Sequence, residues 1–182
     1  MTEANGKLDK LTRPILVGVL VIILLLVNAL IFSKEQVVNN GTVMLLDLAP
    51  RDPRSLLQGD YMALRYRMAA DIGRHSETLT EDGYAVVALD DHDVATFIRI
   101  YGDGQPLESN EHLLFYRKRH GVVKVASDAF YFQEQHGRYY QAARYGKIRV
   151  SEEGDAVLVG LVDSEFNVLR PPASNASGPG EK

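Results

Sequence analysis

GDYMALRYRM, residues 59–68, carries the alternation on which the reading of the fold turns. Met62, Leu64, Tyr66 and Met68 fall on one side of an extended chain, with Tyr61, Ala63, Arg65 and Arg67 on the other. A period of two with one apolar side predicts a half-buried β-strand. Gly59 permits a positive φ and Asp60 can bond nearby backbone N–H groups, so the pair predicts the turn that delivers the strand. Packing then accounts for Leu64 and Tyr66 but not for Tyr61. Its large ring lies on the arginine side, where it can serve as a contact. Asp60, Tyr61, Arg65 and Arg67 are therefore the candidate rim for binding a partner or an anionic group.

The segments around it also read mainly as strands. TVMLLDL (42–48) follows the turn signal Asn39-Asn40-Gly41, and APRDPRSLLQGD (49–60) is a loop with two prolines. YAVVALD (84–90) and VATFIRIYG (94–102) form a hairpin through Asp91-His92-Asp93. HLLFYRK and VVKVA form a second hairpin, turning at His120-Gly121. KIRV and AVLVGLVD complete the main set, with AFYF (129–132) and FNVL as optional additions, and roughly seven or eight short strands are expected. One helix is expected over GRYYQAARYG (137–146), where Tyr139, Ala142, Ala143 and Gly146 share a face and Gly146 stands as a left-handed cap. The sum is an α+β, β-rich domain of short antiparallel strands with one short helix.

Upstream the composition changes. Residues 14–32, PILVGVLVIILLLVNALIF, contain no charge. As a helix they extend roughly 28 Å, close to the hydrocarbon thickness of a bilayer. Such a run has no polar face and is expected to span as a signal-anchor. A cleaved signal peptide is the rival, with Val27-Asn28-Ala29 as the cleavage site. The apolar run continues past that site to Phe32, which favours the anchor. Lys7, Lys10 and Arg13 precede the span and only Lys34 follows closely. That asymmetry predicts a cytoplasmic segment 1–13 and an extracytoplasmic domain 33–170. Residues 171–182 are Pro, Gly, Ser and Asn without apolar periodicity, and are expected to be disordered. Asn175-Ala-Ser177 within them matches a short glycosylation pattern of little weight.

Beyond the span the net charge of −4 becomes about −5, which gives no basic field for nucleic acid. With no cysteine in the chain, an exported domain must rest on its apolar core.

Gly59, Asp60, Tyr61, Leu64 and Tyr66 match all five fixed positions of the GDYXXLXY pattern, and the chain resembles the family named for it. APRDPRSLLQ before the motif and ASDAFYFQEQHGRYYQAARYGKIRV after it are similar to members as well. YFQEQHG departs from the FFVPEG-like run often found there, which leaves the shape of that loop open. The resemblance implies a bacterial membrane-anchored protein of unassigned function, often found with multi-span membrane proteins. It brings no catalytic residues and no cofactor.

Other constellations yield less. A Gly-Asp entering an apolar strand is similar to signal peptidase-like serine/lysine hydrolases. Here Ser55 is only four residues ahead of Gly59, and Lys118 and Lys124 flank a hairpin turn, where desolvating a lysine base is difficult. DDHD (90–93) suits a hard or borderline cation in composition, but neighbours on a turn diverge. FYRKRHG (115–121) is an exposed hairpin tip, or a contact for anionic lipid headgroups if it folds back toward the bilayer. The expectation is a membrane-anchored binding or accessory module, its partner a multi-span membrane protein and its contact with lipid made through the anchor. A serine/lysine hydrolase, or a degenerate relative of one, is the alternative.

Overall fold

The computed structural model describes residues 3–49, 61–75, 79–102 and 104–172. Helix α1, Glu3–Asn40, contains the apolar run and continues past it for more than two further turns. From Pro14 onward it is long and apolar enough to cross a membrane, with a mean hydropathy of 3.2 in its best window and none of that window buried.

The helix ends directly on the domain. Val37 is buried there at 6% exposure. The Gly41 N–H closes the last turn on Val37 O at 2.9 Å. A β-carbon at Gly41 would stand 2.5 Å from Val37 O and 2.9 Å from Val150 O, so only glycine fits this junction. Arg149 donates from one guanidinium nitrogen to the carbonyls of Asn39 and Gly41, both at 3.1 Å. These carbonyls have no partner within the helix, and Arg149 supplies one from the adjoining strand.

Among the described residues nine strands follow: β1 Thr42–Asp47, β2 Tyr61–Ala63, β3 Asp82–Leu89, β4 Ala95–Ile100, β5 Glu111–Arg119, β6 Val122–Val125, β7 Ala129–Tyr131, β8 Tyr145–Val150 and β9 Ala156–Val162. They form three antiparallel sheets, ordered β1-β8-β9, β4-β3-β5-β6 and β2-β7. The first two are joined edge to edge, since Leu45 N–H donates to Asp93 O at 2.8 Å beside a parallel bridge between Leu45 and Val94. They meet again where Phe115 N–H donates to Gly154 O at 2.9 Å. One core lies inside this wrap, built from Met44, Leu46, Val87, Leu114, Tyr116, Ile148 and Leu161 among others.

The hairpins stand where the turn signals place them. Asp90 Oδ1 accepts from the N–H groups of His92 and Val94, both at 2.9 Å, which closes the first turn. His120 and Gly121 both take positive φ, at 51° and 77°, the pairing a two-residue turn needs to match strand twist. Val168 adds an isolated bridge to Val162 in place of a tenth strand.

Two expectations are corrected. The strand begun at Tyr61 stops at Ala63, and Arg67–Gly73 is a short helix, α2. Met68 and Ile72, four residues apart, are its buried face, so apolar alternation passes into helical spacing at Met68 without a break in burial. The helix expected over 137–146 is a single 3₁₀ turn, Gly137–Tyr140, and Tyr145 opens β8. Gly146 is extended and paired with Leu46 and Leu161; it is no helix cap. Its need is for close approach, because a β-carbon there would stand 2.8 Å from Cε1 of Tyr66.

Candidate functional site

Met62, Leu64, Tyr66 and Met68 are all buried, as the alternation requires. Tyr66 reaches furthest. Its backbone bridges Leu48, its ring covers Gly146, and its hydroxyl donates to Ser127 O at 2.9 Å. Burial, with a smaller contribution from the Asp128 charge, pushes that hydroxyl well above the ordinary tyrosine range. It is a neutral donor inside the core and ties three segments together.

On the opposite side the candidate residues separate. Tyr61 is 45% exposed and stands directly across the β2–β7 ribbon from Tyr131, which is 76% exposed. Their ring centroids are 5.8 Å apart and tilted by 40°. Between them and the core, Met62 pairs with Phe130, whose ring meets Tyr140 edge-on at 4.9 Å. The ribbon thus has a buried aromatic underside that holds an exposed tyrosine pair in place. Tyr131 carries no motif of its own, and only the register of β7 against β2 could have identified it.

Arg65 is exposed, and its carbonyl accepts from Ala49 N–H at 2.8 Å. Arg67 turns to Asp47, with Nε 3.0 Å from Oδ2. Arg144, the residue before β8, approaches the same carboxylate, 3.2 Å from Oδ1. Arg144 donates to Oδ2 of that carboxylate at 3.4 Å, while Oδ1 is buried and, among the described residues, has no partner with hydrogen-bond geometry. Arg67 is therefore part of an ion cluster closing the end of β1. Gly59 and Asp60, and the loop serine Ser55, lie outside the described residues, as does the tail from residue 173 onward with its Asn175 pattern.

Lys124 sits on β6 with its ammonium on Asp128, whose carboxyl that hydrogen bond holds below the usual carboxylate range. The backbone N–H of Lys118, on β5, donates to Glu81 O at 2.6 Å, just ahead of β3. Within DDHD, Asp90 closes its turn and the His92 ring stacks on Phe166 at 4.6 Å. Among the described residues no three His, Asp or Glu side chains are grouped to hold a metal ion.

The family model described as GDYXXLXY protein matches residues 23–161, which takes in the second half of the apolar run and nearly the whole domain. No curated protein and no solved structure matches the chain.

Proposed function

The chain belongs to the GDYXXLXY protein family, and from that premise we propose that it is a single-pass inner-membrane protein whose extracytoplasmic domain is a binding module for a multi-span membrane partner. The exposed Tyr61–Tyr131 pair carries this reading. Two tyrosines side by side on a ribbon with a packed underside give a large amphipathic contact area at low entropic cost, as interface anchors do. Arg65, exposed two residues beyond β2, is a polar neighbour for that contact.

A partner in the membrane fits the way the anchor is joined. The domain follows α1 without a linker, and Arg149 and Val37 hold the junction, so the domain stays close to the bilayer. The ribbon begins at Asp128, whose carbonyl accepts from Leu64 N–H at 2.7 Å. Asp128 lines the same pocket as Lys34 of α1, and Tyr131 lies three residues, about 10 Å of strand, beyond Asp128.

Purification of the full chain from membranes in mild detergent tests the proposal. A co-purifying multi-span protein supports it; a clean monomer overturns it. Because the chain has no cysteine, Val159→Cys gives a single thiol for orientation. Labelling by an impermeant maleimide on intact inner-membrane spheroplasts supports the outward domain, and labelling only after lysis overturns it.

A further inference from the structure

The outer end of α1 and the outward face of β5–β6 share a polar pocket of about 210 Å³. Lys34, Arg117 and Lys124 line it together with Asp128, Asp155 and the ring of Phe115. Arg117 and Lys124 are direct cross-strand partners, an arrangement of like charges that is unfavourable unless anions stand nearby. The acids present satisfy it incompletely. Lys34 is 3.7 Å from Asp155 and Arg117 is 3.6 Å from Asp82, both beyond hydrogen-bond length, and all three cations are half exposed. Among the side chains that line the pocket three cations stand against two carboxylates, and the Asp82 that Arg117 approaches is held more closely by Arg119, at 3.0 Å.

Its height relative to a bilayer follows from the helix. Lys34 comes two residues after Phe32, the last residue of the apolar run, which is about 3 Å along the axis. If the run fills the hydrocarbon, Lys34 lies in the headgroup layer, and whatever shares a pocket with Lys34 lies there too. We propose that this pocket binds the headgroup of an anionic phospholipid, with the phosphate between Lys34, Arg117 and Lys124. This rests on α1 being a membrane anchor. The β5–β6 hairpin then reaches the bilayer surface, and the domain has a lipid contact separate from the tyrosine pair.

The full chain is reconstituted in nanodiscs of phosphatidylcholine with a minor share of phosphatidylglycerol, and retained lipid is counted by native mass spectrometry. Wild type is expected to retain phosphatidylglycerol. Removing any one of the three cations is expected to lower retention about fivefold, and Lys34→Ala/Arg117→Ala/Lys124→Ala on the order of 100-fold. Lys147→Ala, on β8, leaves it unchanged. Equal retention by the triple variant and wild type overturns the proposal, as does equal retention of the two lipids. Displacement by inorganic phosphate would mark a free-anion site and overturn it as well. Should the triple variant not fold, Lys34→Glu on the exposed helix supplies the same comparison. A chain that fails to enter nanodiscs overturns the anchor instead, so the two failures are distinct.

Discussion

The Tyr66 ring lies on the backbone of Gly146, where a β-carbon would come within 2.8 Å of Cε1. This contact joins the last tyrosine of the motif to the middle strand of the β1-β8-β9 sheet. Gly146→Ala is expected to lower stability by about 1–3 kcal/mol, as overpacking does. In a Tyr66→Leu background the same substitution should lose most of its cost. Denaturant unfolding of the four proteins of this cycle measures the coupling, and additive costs would show that the contact is not felt.

The same tyrosine contributes stability that is lost at alkaline pH. An unfolded chain releases a tyrosine proton near pH 10, whereas burial keeps Tyr66 protonated above that. Its contribution is complete below about pH 10 and is lost as pH rises further. Melting temperatures between pH 8 and 11 are expected to fall less steeply in Tyr66→Phe. On the acid side, Glu111 accepts from Arg99, with one bond of the fork at 3.0 Å, and that bond depresses its pKa. Its contribution is present above the ordinary glutamate value and is lost as pH falls below it. Glu111→Gln should flatten that limb.

Arg67 is expected to matter for stability and not for capture of a partner. Its ion pair with Asp47 is half exposed on the arginine side, so Arg67→Ala should cost no more than about 1 kcal/mol. Co-purification yield at matched expression is expected to be unchanged, and a lost partner would return Arg67 to the binding rim.

Arg149→Ala removes both side-chain bonds to the helix end. Because other polar contacts of the junction remain, the domain should stay folded while the helix end frays. Amide exchange at Val38–Gly41 is expected to rise about tenfold, corresponding to roughly 1.4 kcal/mol for two lost bonds to neutral carbonyls. Unchanged exchange would show that Arg149 does not hold the junction.

Much of the fold was legible because it depends on period and turn chemistry. The buried set Met62, Leu64, Tyr66 and Met68, the hairpin at Asp90 and the turn at His120-Gly121 all follow from local residues. The errors arise where tertiary packing decides. Residues 137–146 have helical spacing, yet Tyr145 and Gly146 are drawn into β8 by pairing with β1 and β9. Met68 fits both a strand and a helix, and Ile72 decides between them. Tyr61 stood out because core packing did not need it. Its companion Tyr131 lies 70 positions away and becomes its neighbour only through sheet register.

Tyr61 and Tyr131 are proposed to face a membrane partner. This is tested most directly by placing a photoreactive phenylalanine analogue at position 131 in the full chain and irradiating intact membranes. The expected result is a crosslink to a multi-span membrane protein that disappears in Tyr61→Ala, with no such adduct from the same analogue at Val159. Adducts only to lipid, or equal crosslinking from positions 131 and 159, would contradict it.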